Sequence, residues 1–478
     1  IIYYAYWQIK FVIGKSIYKK GFDFMRKYFG TDGIRRIANT ELSPELVYKI
    51  AKAGAFVLSK HSDSTPTILI GRDTRISGTL IESAMVAGFL SYGANVKLLG
   101  VIPTPAVAYL TRKLKASAGV VISASHNTYQ FNGIKYFSNK GMKIPDSLEE
   151  EIEEVMDSGK LDKLTAVNDK IGVSEYALNL VEEYIYFFRK NFDDIIEQYN
   201  RDDFVVGIDT ANGATSEVAD KVFTILGIKH KIINNSPNGI NINDNCGSTH
   251  LDGLKKFVVE NHLSLGVAFD GDGDRCLAVD ENGDEIDGDK LMAIISNTLR
   301  KKGKLKKDTI VATVMSNLGL NKYARDNGLE LIQTKVGDRY VLEEMLKDGF
   351  NFGGEQSGHI ILLDYNPTGD GILTSLMLIQ SILQEDKKAS ELASVIKLYP
   401  QVLVNAKVSA DKKYDFDKNT EIKTAIGKLE KEFAGNGRVL IRPSGTEPLV
   451  RVMIEGEDQN YIAKKANEIA KLIEEKLK

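Results

Sequence analysis

Short runs of β-branched and other apolar residues alternate with amphipathic segments from Met25 onwards. This alternation predicts an α/β architecture with mainly parallel sheets. Three stretches share the order strand, polar turn, helix, strand, and they begin "TILIGRDTRISG", "FVVGIDTANGAT" and "TIVATVMSNLGL". Small or polar residues near each predicted helix start are typical of a strand-to-helix turn, where an N-terminus can hold an anion. Two interpretations stay open, true internal repeats or three unrelated strand-helix-strand units.

Length and composition narrow the class of protein. At 478 residues the chain is too long for one core, so three or four domains are expected. A hydrophobic fraction of 43% and a charged fraction of 27% are ordinary for globular proteins and exclude a fibrous or disordered chain. The net charge of -3 offers no basic field, so neither nucleic acid nor a membrane surface is expected as a partner. Cys246 and Cys276 cannot form a disulfide framework and lack zinc-ligand spacing, which favours a reducing cytoplasm.

The first 24 residues are aromatic and basic and precede the regular pattern. They lack the order of charged region, apolar run and small-residue cleavage site that marks a signal peptide. No later stretch offers about 18 uninterrupted apolar residues, so no transmembrane span is expected. Residues 1–24 are interpreted as an extension of unknown role, before a natural start at Met25.

A serine followed by a histidine stands where an apolar run ends. In "AGVVISASHNTYQFNGIKYF" a buried strand predicted from Ala118 leads to Ser125 and His126. The carboxyl end of a strand in an open parallel sheet faces the ligand crevice. Adjacent residues on an extended chain point to opposite sides, so this pair is a poor candidate for a hydrolase nucleophile and base. The loop carries one cation, Lys135, and a plain polar turn is the alternative interpretation.

A second motif, "VAFDGDGDRCLAVD", places Asp270, Asp272 and Asp274 on alternate positions between two predicted strands. Three carboxylates this close repel one another unless a cation neutralises them, and oxygen ligands favour a hard divalent ion. An EF-hand would need glycine at the sixth position, where Arg275 stands. The motif therefore predicts a Mg²⁺ site, with Arg275 able to reach the same anion as the metal. A solvated acidic turn is the alternative.

A third motif, "FGGEQSGHIIL", sets Glu355, Ser357 and His359 on alternate residues. An extended backbone would point all three side chains to one face. Such a face offers a hydrogen-bond acceptor, a hydroxyl and a titratable base, which suits binding the hydroxyl groups of a sugar and transferring a proton. A polar, glycine-rich hairpin without such a role is the alternative.

The fourth motif, "VLIRPSGTEPLVRVMIEG", carries a compact polar loop between two predicted strands. Its guanidinium, hydroxyl and backbone N–H groups, from Arg442, Ser444, Gly445 and Thr446, predict a phosphate clamp. Arg451 supplies a second cation nearby. A surface turn is the alternative.

Five motifs in this order, "FGTDGIRR", "ISASHNTYQFNGIKYF", "DGDGDR", "GGEQSGH" and "RPSGTEPLVRVMIEG", resemble those of the α-D-phosphohexomutase superfamily. Within it the chain is most similar to the branch that acts on glucosamine phosphates. Gln356 is one reason, because phosphomannomutase/phosphoglucomutase relatives typically have Met there. A phosphomannomutase/phosphoglucomutase is therefore the nearest alternative, a Mg²⁺-dependent sugar-phosphate phosphatase is another, and a non-catalytic sugar-phosphate sensor is disfavoured by the full set of motifs.

The resemblance implies three related α/β domains with mixed sheets and a C-terminal α+β domain, similar to the TATA-box-binding protein, around a central cleft. The expected domains are 25–172 with the phosphoserine loop, 173–278 with the metal loop, 279–392 with the sugar-recognition loop and 393–478 with the phosphate-binding loop.

The implied reaction interconverts glucosamine 6-phosphate and glucosamine 1-phosphate through a phosphoserine and a 1,6-bisphosphate, which also serves as activator. Ser123 is expected not to be phosphorylated. His126 is expected either to position the loop or to transfer a proton. The implied catalytic residues are Ser125, His359, Lys135 and Arg35; the substrate-binding residues are Glu355, Ser357, Arg442, Ser444, Gly445, Thr446, Arg275, His126 and Arg451; the metal ligands are Ser125, Asp270, Asp272 and Asp274.

Two positions depart from the superfamily pattern. Arg36 replaces the glycine of the usual "GIRG", and Thr128 replaces the proline of the common "SHNP". Neither removes a reacting group, so activity is expected to survive. The resemblance also leaves room for a homodimer and for a kinase that primes the serine, and it places the enzyme in the cytoplasm supplying UDP-N-acetylglucosamine synthesis.

Overall fold

Four β-sheets follow one another along the chain, each with its own helices. The computed structural model describes residues 27–30, 32–60, 65–198, 203–444 and 447–478. The predicted extension 1–24 and the candidate residues Gly445 and Thr446 lie outside the described residues. In the part of the chain that is described, no helix is both long and apolar enough to cross a membrane.

The first unit is a six-stranded mixed sheet with four helices. Its elements are β1 (Ile34–Ile37), α1 (Pro44–Ser59), β2 (Thr67–Arg72), α2 (Gly78–Tyr92), β3 (Asn95–Val101), α3 (Thr104–Lys113), β4 (Ala118–Ile122), β5 (Phe131–Ser138), α4 (Asp146–Asp157) and β6 (Ser174–Tyr176). The strand order is β1-β5-β4-β2-β3-β6, with β5 antiparallel to both of its neighbours. Every residue of β4 is buried, which confirms the buried strand predicted before Ser125.

The second unit is a five-stranded sheet in which the aspartate loop joins two antiparallel strands. Its elements are α5 (Val181–Asn191), α6 (Asp193–Gln198), β7 (Val206–Asp209), α7 (Val218–Ile225), β8 (His230–Ile233), α8 (Asp252–Glu260), β9 (Leu265–Phe269), β10 (Cys276–Asp280) and β11 (Glu285–Ile286). The order is β11-β10-β9-β7-β8. Strands β10 and β11 extend past the expected limit at residue 278, and β6 lies past the limit at 172, so we propose boundaries after Tyr176 and Ile286.

The third unit is a four-stranded sheet, and the fourth is a three-stranded antiparallel sheet. The third contains α9 (Gly288–Lys301), β12 (Thr309–Thr313), α10 (Leu318–Asp326), β13 (Glu330–Thr334), α11 (Asp338–Asp348), β14 (Phe352–Gly354), β15 (Ile360–Leu362), α12 (Gly371–Glu385) and α13 (Ala389–Ala393). The fourth contains β16 (Gln401–Lys407), α14 (Thr420–Phe433), β17 (Gly437–Pro443), β18 (Leu449–Gly456) and α15 (Gln459–Leu477). The strand orders are β13-β12-β14-β15 and β16-β18-β17. The small α+β tail predicted from the sequence is confirmed.

The three similar stretches all form strand-helix-strand units with parallel strands. They are β2-α2-β3, β7-α7-β8 and β12-α10-β13. Local sequence explains where several helices start: Ser43 accepts a hydrogen bond from the Leu46 N–H before Pro44 of α1, and Asn317 and Asp370 cap α10 and α12 with their side chains. In each of these units the first strand, β2, β7 or β12, ends at the carboxyl edge of its parallel strands, where ligands bind in open α/β sheets.

One hydrophobic core runs through the first three units, which also have smaller clusters of their own, and the fourth unit has a separate core. Buried residues from β2, β7, β9 and β12 belong to one continuous cluster, together with the wholly buried stretch 371–382 of α12. A helix that is apolar all round is typical of the centre of a large protein. The core of the fourth unit forms between its sheet and its two helices. The shared core therefore holds the loops of the first three units in fixed relative positions.

Candidate active site

The serine loop and the aspartate loop meet, although 145 residues separate them in the chain. Ser125 follows β4, Asp270 follows β9, and the Ser125 hydroxyl donates a hydrogen bond of 2.7 Å to Asp270 Oδ2. Ser125 is 1% exposed, and Asp270 is as deeply buried. The sequence placed both residues at strand ends, and the structure brings the two ends together.

Ser125 has a left-handed backbone conformation, with φ at +50°. This conformation corrects the expectation that Ser125 and His126 face opposite sides, because that expectation assumed an extended chain. Ser125 Oγ lies 3.3 Å from His126 Nδ1. Burial, followed by the nearby Arg275 and Arg35 guanidinium groups, lowers the pKa of His126 to about 4. Because the His126 imidazole is neutral, it fits a role in positioning the Ser125 hydroxyl better than a role in proton transfer.

The three aspartates form a compact buried group. Asp270, Asp272 and Asp274 each offer a carboxylate oxygen within 4.8 Å of the others. Burial and the two neighbouring carboxylates raise the pKa of Asp270 well above its ordinary value. Asp272 Oδ1 and Asp274 Oδ1 are buried and have no hydrogen-bond partner among the described residues. Buried oxygens without partners in an all-oxygen donor set fit a hard divalent cation.

Lys135 is the cation closest to the aspartates. Its ammonium lies 3.0 Å from Asp272 Oδ2, 3.5 Å from Asp274 Oδ2 and 3.2 Å from Asp32 Oδ2, and its side chain is 2% exposed. Burial lowers its pKa, but the Asp272 and Asp32 carboxylates outweigh burial and raise the pKa of Lys135 above its usual value. Lys135 is therefore charged at every physiological pH.

Two arginines surround the Ser125 and His126 pair. Arg275 donates from its backbone N–H to Asp270 Oδ1, and its Nη1 lies 3.3 Å from His126 Nδ1. Arg35 binds the Asp32 carboxylate and donates to Asn127 Oδ1 at 3.3 Å. Both predicted cations thus lie beside the serine loop.

Three charged residues of the site were missed by sequence reasoning. Lys143 Nζ lies 2.5 Å from both Asp32 Oδ1 and Asp338 Oδ2, and so links the first unit to the third. Asp32 stands inside the quoted "FGTDGIRR" motif, which was a usable signal. Lys143 and Asp338 carry no local pattern that separates them from surface residues.

The sugar-recognition loop forms a tight turn between β14 and β15, which contradicts the extended face expected for Glu355, Ser357 and His359. The Glu355 N–H donates to the His359 carbonyl, and the Gly358 N–H donates to the Glu355 carbonyl, both at 3.0 Å. Ser357 is exposed, whereas His359 is buried. The turn forms because β14 and β15 pair antiparallel through Gly354 and Ile360, which leaves too few residues for an extended run.

His359 nevertheless reaches the charged cluster. Its Nε2 lies 3.5 Å from Asp338 Oδ2 and 3.9 Å from Asp274 Oδ2. Neither ring nitrogen has a hydrogen-bond partner among the described residues. Glu355 accepts a hydrogen bond from the Gly337 N–H, beside Asp338. Gln356 points elsewhere, because its Nε2 lies 3.3 Å from Asp287 Oδ2 near the start of α9.

The predicted phosphate clamp lies on the fourth unit. Arg442 and Arg451 face each other across β17 and β18. Burial and the neighbouring Arg451 lower the pKa of Arg442. Lys413, not singled out from the sequence, donates to the Ser444 carbonyl at 3.0 Å. Among the described residues, no hydrogen bond or ion pair connects Arg442, Ser444 or Arg451 to the cluster around Ser125.

The structure shows the contacts of Arg36 and Thr128, the two residues that depart from the superfamily pattern. Arg36 points away from the aspartates and donates to the Lys27 carbonyl. Thr128 lies in the serine loop, where its carbonyl accepts a hydrogen bond from Arg75. Neither side chain touches the aspartates.

Comparison with known proteins covers most of the chain and agrees with its division into four units. The chain matches four phosphoglucomutase/phosphomannomutase domains: alpha/beta/alpha domain I at residues 26–163, domain II at 182–283, domain III at 287–399 and the C-terminal domain at 403–472. A phosphoglucomutase/phosphomannomutase family protein from Burkholderia thailandensis has the same fold, with a TM-score of 0.75 at 20% identity over 94% of this chain and 97% of that one. Fold and site thus define a phosphohexomutase.

Curated relatives narrow the family further. The phosphoglucosamine mutases of Ruminiclostridium cellulolyticum and Acetivibrio thermocellus are each 52% identical over 453 residues, which is 95% of this chain and 100% of each relative. The chain belongs to the phosphoglucosamine mutase family.

Proposed function

We propose that this enzyme interconverts glucosamine 6-phosphate and glucosamine 1-phosphate, with Ser125 as the residue that carries the phosphoryl group. The observation that carries the proposal is the 2.7 Å contact between Ser125 Oγ and Asp270, inside a buried trio of carboxylates. Identity of 52% to phosphoglucosamine mutases over 95% of the chain supports the choice of sugar. The relatives do not favour a phosphomannomutase or a phosphatase.

The reaction consists of two balanced transfers. Phosphorylated Ser125 gives its phosphoryl group to O1 of glucosamine 6-phosphate, so that one P–O bond to serine breaks and one to the sugar forms. The resulting 1,6-bisphosphate turns within the cleft, and its 6-phosphoryl group returns to Ser125. Glucosamine 1-phosphate leaves, and the enzyme is again phosphorylated. The bisphosphate is both intermediate and activator.

Charge compensation dominates catalysis of phosphoryl transfer. Asp270, Asp272, Asp274 and phosphorylated Ser125 would hold a Mg²⁺ ion, which would supply positive charge at the transferring group. Lys135 adds a permanent positive charge, since its ammonium already lies 3.0 Å from Asp272. Arg275 and Arg35 flank the serine loop and stabilise an anion there.

His359 is proposed to move the proton of the sugar hydroxyl. Its buried ring lies 3.5 Å from Asp338, but neither ring nitrogen has a hydrogen-bond partner among the described residues, so one can face the sugar. Glu355 and Ser357 are proposed to orient the sugar from the turn. His126 is proposed to position the serine hydroxyl.

Arg442, Ser444, Gly445, Thr446 and Arg451 are proposed to hold the phosphate that does not react. Two guanidinium groups side by side repel each other, and an anion between them relieves that repulsion. Because the bisphosphate presents either end, this clamp accepts two poses. A homodimer, a priming kinase, a cytoplasmic location and supply of UDP-N-acetylglucosamine synthesis stay predictions.

The decisive experiment is Ser125→Ala, with Ser83→Ala as an exposed control on α2. Mutase turnover of glucosamine 6-phosphate should fall at least ~1,000-fold, the scale seen when a covalent nucleophile is removed. Intact-mass and fragment analysis of the unmutated protein should place one phosphate on Ser125 and none on Ser123. Full turnover by Ser125→Ala, or a faster rate on mannose 1-phosphate than on glucosamine 6-phosphate, would contradict the proposal.

A further inference from the structure

Two carbonyl oxygens of the serine loop each accept two side-chain hydrogen bonds. The Ser125 carbonyl accepts from Arg75 Nη2 at 2.9 Å and from Asn243 Nδ2 at 2.8 Å. The Asn127 carbonyl accepts from the same two nitrogens, at 2.7 Å and 2.9 Å. The loop is thus held from the first unit by Arg75 and from the second unit by Asn243.

All five N–H donors of the Arg75 guanidinium point into protein. Besides the two bonds above, Nε donates to Asp73 Oδ2 at 2.8 Å, and Nη1 donates to the carbonyls of Thr128 and Phe131. The side chain is completely buried against Asp73. Arg75 has no donor left for a substrate, so its use lies in the shape of the loop.

Asp73 reaches the loop through a second path. Its Oδ2 accepts a hydrogen bond from the Ser123 hydroxyl, and Ser123 Oγ accepts one from the Ser125 N–H at 2.9 Å. The backbone of Ser125 is therefore fixed on both sides of its α-carbon. The Ser123 hydroxyl is engaged in both of these bonds, and its exclusion from phosphorylation stays a prediction.

Asn243 adds a link between two units. It is 3% exposed, and its backbone N–H donates to the Ala211 carbonyl in the second unit. Its φ is +57°, a region that asparagine, aspartate and glycine tolerate better than other residues. The amide reaches the serine loop from the unit that also carries Asp270.

We propose that Arg75 and Asn243, named here the carbonyl clamp, are positioning residues that keep Ser125 in its left-handed conformation and its Oγ aimed at Asp270. The proposal rests on the proposed function of Ser125. A non-glycine residue at φ +50° is strained and persists only where its surroundings enforce it. This chain has Thr128 where a proline would stiffen the loop, so the clamp supplies the missing rigidity.

Among the described residues, neither the Arg75 nor the Asn243 side chain forms a hydrogen bond with Asp270, Asp272 or Asp274, and this separates the expected effect of the clamp from that of binding residues. A loop that relaxes would move Ser125 Oγ away from the in-line position, which slows transfer without weakening sugar binding. A misplacement of about 1 Å can cost ~100-fold in rate. A role in folding alone would lower the melting temperature and leave kcat unchanged.

The first test is Asn243→Asp, which keeps the size and the tolerance of positive φ but turns an acceptor towards two carbonyl oxygens. We expect kcat to fall ~100-fold, with KM within ~3-fold of the unmutated enzyme. Asn243→Gly removes the donor without adding charge and should lose ~10-fold in kcat. The matched control is Asn245→Asp, an exposed asparagine with φ +52° on the same loop that does not reach Ser125, and it should keep full activity.

Two outcomes distinguish failure of the carbonyl clamp from failure of the proposed function. Wild-type kcat in both Asn243 variants would overturn the carbonyl clamp, provided that the unmutated enzyme is phosphorylated and turns over. An unmutated enzyme without phosphate on Ser125 or without mutase turnover would instead overturn the proposed function. Should Asn243→Asp fail to fold, Asn243→Gly decides the question. Arg75→Lys keeps the charge but not the five donors, and it should show the same selective loss of kcat.

Discussion

Lys143 is buried between two carboxylates from distant parts of the chain. Its side chain is 11% exposed and pairs with Asp32 and Asp338. Burial lowers the pKa of Lys143, but Asp32 and Asp338 raise it further, so its net pKa lies above the ordinary value. Burial raises the pKa of Asp32, but Lys135 and Lys143 hold it well below its usual range. All three groups are therefore charged. Without Lys143, Asp338 would lose its ammonium partner, whereas Asp32 would keep Arg35 and Lys135.

Lys143→Met is expected to lower the free energy of unfolding by about 3 kcal/mol, the lower end of the typical cost of removing one partner of a buried ion pair, because Asp338 loses its ammonium partner. The double variant Lys143→Met/Asp338→Asn should recover part of that loss, because the carboxylate that lost its ammonium partner is then uncharged. Urea unfolding followed by circular dichroism measures both.

Lys418→Met serves as the control for this residue. Lys418 forms an exposed pair with Asp415, and its side chain is 74% exposed. Exposed ion pairs of this kind contribute about 0–1 kcal/mol to the free energy of unfolding. A loss in Lys143→Met no larger than that of Lys418→Met would show that the buried cluster does not stabilise the fold.

The first turn of α9 carries a second unusual carboxylate. Asp287 caps the helix by accepting from the Lys290 N–H, and Asp289 accepts from the Asn317 N–H at 2.7 Å. Asp289 is fully buried. Burial, followed by the Asp287 charge and a smaller contribution from Glu455, raises the pKa of Asp289 to about 7. Asp289 is thus a proton-binding group of the folded state in the neutral range.

Asp289→Asn is expected to flatten the dependence of stability on pH. The folded protein binds the Asp289 proton up to about pH 7, whereas the unfolded chain releases it near the ordinary aspartate pKa of 3.8. Stability from this group is therefore lost as pH rises through that window. The variant keeps the acceptor for Asn317, and its advantage over the unmutated protein should grow by about 2 kcal/mol between pH 5 and pH 8. Unfolding in urea at both pH values measures this, and a constant difference would contradict it.

Strands, helices and their order were predictable from the sequence, because their signals are local. The stretch from Thr67 to Val101 shows an apolar run, a polar turn, a segment closed by Gly93 and a second apolar run, and β2, α2 and β3 form there. Turn geometry was less predictable. The alternate spacing of Glu355 and His359 indicated an extended face, but antiparallel pairing of β14 and β15 bends the segment into a turn. A single left-handed residue, Ser125, likewise brought His126 to the hydroxyl.

The site as a whole depends on contacts that no local pattern reports. Asp270 could be predicted because three aspartates stand close together in the chain. Lys143, Asp338 and Arg75 could not, since each is an ordinary charged residue until the shared core of the first three units brings it to the cleft. The fourth unit lies outside that core and is held to the third largely by polar contacts.

Arg438 is the centre of that polar attachment, and its removal should loosen the fourth unit. It donates to the Ser316 carbonyl of the third unit at 2.7 Å and pairs with Glu455, which is completely buried and also accepts from the Leu318 N–H.

The fourth unit carries the proposed clamp for the non-reacting phosphate, whose contacts are the same before and during transfer. Arg438→Met should therefore raise KM for glucosamine 6-phosphate ~10-fold while kcat changes less than ~3-fold, the pattern of lost uniform binding. Lys465→Met, on the outer face of α15 and 27% exposed, is the control and should leave both constants unchanged. An unchanged KM in Arg438→Met would show that the attachment does not set the position of the phosphate clamp.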